Sequence, residues 1–305
     1  MNVASIFITG IQGFIGSHLA KKMREEGHKV IGLVRDYHST KWLKEALKGS
    51  IRVRGDVTNF RILKRALNQY QIDWCIHLAA MSIVKTAHRD PIGTFSTNVM
   101  GTVKLLEACR QLEIKKLVIQ STDKVYGNLM DATTSSPLKP TEIYGTSKCC
   151  IDFAAQTFIE TYGMSIAISR MCNVYGFDKE NRIIPNTIRN CLHNQSPVIF
   201  KNDTSKRQYI HINDACAALK FLSENDWTKG VYNIATNNIL NQEEVVLKIL
   251  KFFPALKPRY IEKPKLKQIE SQSMHPTTYP PYWEPKVTFE EGIKQTIDDF
   301  RRYGY

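Results

Sequence analysis

The sequence predicts an α/β fold: a doubly wound, mostly parallel sheet with a smaller C-terminal α/β lobe. Three observations carry this. A β-branched run ends in a glycine-rich loop that opens a helix; strands and helices then alternate with short connections; and the polar motifs fall at the carboxyl ends of the strands. The 305 residues, 43% hydrophobic and 23% charged, suit one large α/β unit or one domain with a smaller companion.

Taken in order, Ala4 to Thr9 reads as the first strand, and Thr9-Gly10-Ile11-Gln12-Gly13-Phe14-Ile15-Gly16 follows it. A helical pattern runs from Ser17 to Glu26, Gly27-His28 stops it, and Lys29 to Val34 completes a strand–helix–strand unit. Gly10 permits a tight turn, Gly13 lets a pyrophosphate approach the backbone, and Gly16 lets the helix pack closely on the strand. Free N–H groups and the dipole at the helix N-terminus suit that anion. Gly10, Gly13, Phe14, Ile15 and Gly16 are the expected contacts of a dinucleotide in a Rossmann-type sheet. Arg35, just past the second strand, can pair with a 2′-phosphate and leans the expected NAD(P) cofactor toward NADP, whereas Asp36 can reverse that choice. Further strands are expected at Ile51–Arg54, Asp73–Leu78 and Lys116–Gln120, with a helical segment from Phe95 to Arg110. No internal repeat or long linker interrupts the alternation.

Composition narrows the function classes. No apolar run approaches the ~20 residues that span a bilayer. The N-terminus lacks the basic start and cleavage site of a signal peptide, so a cytoplasmic protein is expected. The seven cysteines include no C-x-x-C pair and most sit in apolar surroundings, so neither a disulfide framework nor a metal site is expected. A net charge of +13, densest between Lys257 and Lys267, raises nucleic acid as a partner. Without interleaved aromatics, that charge is read as a field for anionic small molecules.

Ser121-Thr122-Asp123-Lys124-Val125-Tyr126-Gly127, with Tyr144-x-x-x-Lys148 beginning 22 residues after Thr122, concentrates chemistry in a short stretch. Spacing of four puts Tyr144 and Lys148 on one helix face, with Pro140-Thr141-Glu142 leading in. Together with the Thr9–Gly16 loop, Asp56 and Asn98, this set resembles the extended short-chain dehydrogenase/reductases, the nucleotide-sugar epimerase/dehydratase family, to about residue 240. The resemblance implies that Asp56 and Val57 meet the adenine, that Leu78, Ala79 and Ala80 let the cofactor lie against a strand end, and that Asn98 belongs to the cofactor side by holding helix and strand in register. It implies an NAD(P)-dependent enzyme acting on a nucleoside-diphosphate hexose, and a homodimer through the helices near 95–110 and 145–162.

A phenol ionises only near pH ~10. The Lys148 ammonium and the charge of an oxidised nicotinamide would favour the phenolate, letting Tyr144 take the proton of a sugar hydroxyl that Thr122 bonds. Asp123 resembles the acid of sugar-nucleotide 4,6-dehydratases, which protonates the departing hydroxyl. Lys124 stands where most of those enzymes carry Glu, an Asp-Lys pair similar to that of CDP-glucose 4,6-dehydratases. It is either the C5 base, if neutral, or a charged partner of Asp123. The alternatives are a 4-epimerase, in which that pair is an exposed turn ion pair, or a 5,6-dehydratase.

On the substrate side, Ser82 and the family-like Met171-Cys172-Asn173-Val174-Tyr175-Gly176 are expected near the sugar and its diphosphate through Asn173. The resemblance also implies Arg182 at a helix start that holds the nucleotide phosphate or base, Ile199 on a strand lining the base, and Arg207 on the diphosphate, a task bidentate bonding suits. The family's second diphosphate arginine is missing from Met274–Trp283, and Arg259 or a nearby lysine is the expected substitute. Residues 1–170 are expected to form the dinucleotide domain, rejoined by 207–235; 171–206 and 236–305 are expected to form the substrate lobe.

Overall fold

The computed structural model describes residues 3–201, 203–225, 228–262, 271–277 and 283–304. Its strands are β1 (Ser5–Thr9), β2 (Lys29–Val34), β3 (Ile51–Arg54), β4 (Trp74–His77), β5 (Lys116–Thr122), β6 (Ile166–Met171), β7 (Asn173–Tyr175), β8 (Val198–Lys201), β9 (Arg207–His211), β10 (Gly230–Ile234), β11 (Ile239–Leu240) and β12 (Arg259–Glu262). Its helices are α1 (Phe14–Glu25), α2 (Lys41–Ala46), α3 (Phe60–Gln69), α4 (Val84–Arg89), α5 (Pro91–Phe95), α6 (Gly101–Gln111), α7 (Ile143–Tyr162), α8 (Ile183–Leu192), α9 (Ile212–Glu224), α10 (Gln242–Leu250) and α11 (Phe289–Tyr303).

The central sheet has seven parallel strands in the order β10-β6-β5-β4-β1-β2-β3, the Rossmann arrangement. Period-two alternation explains why both faces are covered. In β1, Ile6 and Ile8 pack with Leu19, Met23 and Leu222 on one face. Phe7 packs with Leu63, Leu105 and Ile166 on the other. Full burial of each such side chain is worth about 1.5–3 kcal/mol.

Two elements differ from the sequence expectation. Helix α1 begins at Phe14 rather than Ser17, directly after Gly13. Gly16 therefore lies in its first turn, where a Cβ would stand 2.2 Å from the Gly10 carbonyl; Gly10 itself has φ +71°. The glycines that read as loop are what let the helix start against β1. The segment expected as one helix from Phe95 contains a π-helical turn at Ser96–Met100 between α5 and α6. That turn carries Asn98, which is buried and bonds Met81 N (2.8 Å), Met81 O (3.3 Å) and Ser147 Oγ (2.9 Å). Asn98 thus ties the loop after β4 to α7.

Smaller sheets follow: β11-β9-β7, and β12 beside β8. The 207–235 stretch divides, with β9 in the smaller sheet and β10 on the edge of the large one. Helix α11 returns to the dinucleotide half, where Tyr303 meets the ring of Trp42 in α2 at 5.0 Å and bonds Glu45 Oε1 at 2.7 Å. No helix among the described residues is long and apolar enough to cross a membrane.

Candidate active site

The carboxyl ends of β1, β2, β4, β5 and β6 open into a cleft of about 1120 Å³. Its wall brings together Gly10, Gly13, Phe14, Ile15, Gly16, Arg35, Asp56, Val57, Leu78, Ala79, Ala80, Ser82, Thr122, Asp123, Lys124, Tyr144, Lys148, Asn173 and Arg182. Three expected site residues lie elsewhere. Asn98 sits behind the wall in the role described above. Ile199 is buried in the core, because β8 turns that side chain inward. Arg207 does not line the cleft, and one of its guanidinium nitrogens donates to Lys206 O at 2.8 Å. Of the stretch from which the second arginine is missing, Thr278 to Tyr282 lies outside the described residues; of its expected substitutes, Lys263, Lys265 and Lys267 do too, and Arg259 is exposed on β12 and does not line the cleft.

The dinucleotide end fits the group the glycine loop implies. A Cβ on Gly10 would lie 2.9 Å from Ala79 N, and one on Gly13 3.1 Å from Gly10 O, so side chains there would fill the cradle. Gly13 caps α1 without any side-chain hydrogen bond, leaving first-turn N–H groups for an anion. Arg35 and Asp36 are both exposed at the adenosine end.

At the other end, β5 delivers Thr122 to a single 3₁₀ turn, Asp123–Tyr126. Helix α7 approaches this turn closely, since a Cβ on Gly145 would stand 2.8 Å from Lys124 O. Glu142 caps α7 by accepting from Tyr144 N (2.8 Å) and Gly145 N (2.6 Å). Burial pushes the Tyr144 phenol above its ordinary range and the Asp123 charge adds to this, while a hydrogen bond with Thr122 opposes it. The net shift is thus upward, against the pull expected from Lys148. Its Nζ stands 5.9 Å from the Tyr144 ring centre and donates to Gln120 O at 2.8 Å. Burial pushes Lys148 itself down to about 8, against the pull of Asp152.

Asp123 is 1% exposed and surrounded by donors. Its Oδ1 accepts from Lys124 Nζ (2.7 Å) and Thr122 Oγ1 (2.9 Å), and its Oδ2 from Asn173 Nδ2 (3.4 Å). Lys124 Nζ also donates to Asn173 Oδ1 at 3.3 Å. The pair is therefore a largely buried ion pair in the cleft wall, unlike the exposed turn pair expected of the epimerase alternative.

Sequence reasoning missed Asp152, four residues after Lys148 on the same face of α7, a spacing that could have revealed it. Asp152 Oδ2 accepts from Arg170 Nε at 2.6 Å, both side chains being buried. Arg170 also donates to Tyr126 OH at 2.7 Å, which bonds Asn233 Oδ1 at 2.7 Å. Away from the cleft, Glu26, His28 and Glu224 cluster like metal ligands. His28 Nδ1 accepts from Ala4 N, which leaves the proton on Nε2, and Lys22 and Lys220 pair with the carboxylates.

Comparison with known proteins agrees with this site. The model of the NAD dependent epimerase/dehydratase family matches residues 6–235. The dTDP-glucose 4,6-dehydratase of Xanthomonas campestris is 28% identical, over 97% of this chain and 93% of its own. The structure of dTDP-glucose 4,6-dehydratase from Bacillus anthracis in complex with NAD is 26% identical, with TM-score 0.88 over 99% of this chain and 98% of that one. UDP-glucose 4-epimerase from Thermotoga maritima with UDP-glucose is 25% identical, with TM-score 0.88 over 98% of this chain and 99% of that one. With the glycine cradle, the Tyr144–Lys148 pair and the matched family model all in one chain, the protein belongs to the NAD-dependent epimerase/dehydratase family.

Proposed function

We propose that the protein is a nucleotide-sugar 4,6-dehydratase. The observation that carries this reading is the Asp123–Lys124 pair, buried in the cleft wall beside Tyr144. Epimerisation at C4 needs no acid for a departing hydroxyl; elimination of water does. The dinucleotide, when bound, supplies a hydride acceptor and later a hydride donor, and its oxidised form brings a positive charge that opposes the upward push of burial on Tyr144. Tyr144 takes the proton of the C4 hydroxyl, and Thr122 orients that hydroxyl.

Lys124 and Asp123 then act as one unit. Transfer of a single proton along their 2.7 Å hydrogen bond turns ammonium and carboxylate into amine and carboxylic acid, with no net proton uptake. The amine takes the C5 proton and the acid protonates the C6 hydroxyl as it leaves as water, so elimination regenerates the ion pair. The ammonium can return its proton to C5 when hydride reaches C6. Both roles read from the sequence for Lys124, base and charged partner, belong to this cycle.

The substrate is a nucleoside-diphosphate hexose, with Ser82, Asn173 and Arg182 on its side of the cleft, and Arg207 reserved for a diphosphate that extends beyond it. NAD is supported by the complex of the Bacillus anthracis relative and by Asp36, and NADP by Arg35; relative Kd values for the two dinucleotides in Arg35→Ala decide between them. We further propose a cytoplasmic homodimer.

Incubation with CDP-glucose, dTDP-glucose, GDP-mannose and UDP-N-acetylglucosamine is expected to yield, from one of them, a product lighter by one water without net cofactor consumption. Asp123→Asn is expected to oxidise C4, seen as reduced cofactor in a single turnover, yet release no water; Tyr144→Phe is expected to do neither. The epimerase reading rests on the equal structural likeness to the Thermotoga enzyme, and a product of unchanged mass inverted at C4 would establish it instead.

A further inference from the structure

Residues 271–277 run as a strap, buried at 272–274, behind the catalytic turn. Gln272 N donates to Lys206 O (3.1 Å), Ser273 N to Leu129 O (3.2 Å), His275 N to Ala132 O (2.9 Å) and Thr277 N to Asn233 O (3.1 Å). The strap is thereby stitched to the chain leaving the catalytic turn on one side, and to β9 and β10 on the other. Gln272 and Ser273 are fully buried and Met274 is 1% exposed.

Two of its contacts converge on Asp123. The Gln272 side chain reaches across 149 residues of sequence, and its Nε2 donates to the Asp123 carbonyl. Met274 exchanges hydrogen bonds with the buried Gln208 side chain, N to Oε1 at 2.9 Å and Nε2 to O at 3.0 Å. The Gln208 carbonyl in turn accepts from Asn173 Nδ2 at 3.0 Å, the same amide that bonds Asp123 Oδ2. The strap therefore grips Asp123 by its main chain and, through Gln208 and Asn173, by its carboxylate. Among the described residues, none of its hydrogen bonds goes to Tyr144 or Lys148.

We propose that Gln272 is a positioning residue for water elimination: it fixes the main chain of Asp123, so that the strap sets how the Asp123–Lys124 pair meets C5 and C6. This rests on the dehydratase reading. The strap gives the elimination pair a support of its own, while the Thr122–Asp123 hydrogen bond still joins that pair to the oxidation site. C4 oxidation depends on α7 and β5, while elimination depends on a turn held from behind by the C-terminal part of the chain. The bonds concerned are those already described: C5–H breaks toward Lys124, C6–O breaks as Asp123 gives up its proton, and water leaves.

The test uses two near-isosteres in the full-length enzyme, with substrate and cofactor. Gln272→Met fills the space without donating a hydrogen bond. It is expected to leave the rate of cofactor reduction within about twofold while slowing water release by about 10- to 100-fold, the range that a displacement of about 1 Å of a catalytic group costs. Reduced cofactor should accumulate. Gln272→Glu can donate to the Asp123 carbonyl only when protonated, and burial raises its carboxyl above the usual ~4.3. Its rate of water release relative to wild type should therefore climb as pH falls, whereas the Gln272→Met ratio stays level.

Equal slowing of both half-reactions, or no slowing of either, overturns the proposal. Should Gln272→Met fail to fold, a Gln272→Glu ratio that does not change with pH overturns it. A wild-type enzyme that releases no water and only inverts C4 removes the dehydratase reading and this proposal together. A wild-type dehydratase indifferent to both substitutions removes this proposal alone.

Discussion

Burial and one neighbouring carboxylate set the charge of Lys148. Its side chain is enclosed beneath α7, which pushes its ammonium down to about 8, and Asp152 opposes the shift. Below that pH the lysine is charged and favours the Tyr144 phenolate; above it the support is lost. The rate of C4 oxidation is therefore expected to fall as pH rises through about 8, measured as single-turnover cofactor reduction. Asp152→Asn removes the opposing carboxylate and is expected to move that limb to lower pH. At this scale the sequence revealed residue types and spacing, enough to pick out Thr122, Asp123, Lys124, Tyr144 and Lys148. Desolvation was not legible, because it depends on what covers a side chain. That is why the phenol, expected to be lowered by Lys148, is instead raised.

His77 shows what joins one element to the next. It ends β4, with Nδ1 2.7 Å from Thr9 Oγ1 at the end of β1 and Nε2 2.8 Å from Thr102 Oγ1 in α6. Thr9 Oγ1 accepts from Leu78 N and Ala79 N, both at 3.1 Å, so its proton goes to Nδ1. Nε2–H then donates to Thr102, which donates to Asn98 O. Every proton is placed, and the imidazole must be neutral; burial and the Lys148 charge hold it at about 3. His77→Ala is expected to cost about 2–4 kcal/mol in denaturant unfolding, from the lost bonds and the cavity. An unfolded histidine protonates near pH ~6.5. The folded pKa is lower, so His77's contribution is present above that pH and declines as pH falls toward about 3. Strands β2 and β3 were legible to the residue, because alternating or continuous burial writes itself into side-chain type. The π turn around Asn98 was not, since one extra residue in a helical turn leaves no mark on hydrophobic period.

Among the described residues, four exposed apolar side chains lie on or beside the helices expected to pair two copies. Ile92 in α5 is 84% exposed, Met100 before α6 49%, and Phe153 and Tyr162 in α7 58% and 52%. Such side chains on adjacent helices favour a self-complementary contact between two copies. Wild-type protein is expected to sediment at twice its chain mass and Phe153→Glu at once; a monomeric wild type would refute the dimer. Helix α11, assigned from sequence to the substrate lobe, packs on both parts, with Phe300 and Tyr303 against Phe177 and Tyr303 also against Trp42.

By itself the sequence determined the α/β class, the glycine cradle and which residues are candidates for catalysis, because each follows from local backbone geometry or from two residues a helical turn apart. Only the tertiary structure decided that Asp123 and Lys124 form a buried pair, that Ile199 belongs to the core, and that Gln272 reaches Asp123. Those facts join residues up to 149 positions apart, and their energetics depend on which water the intervening chain excludes.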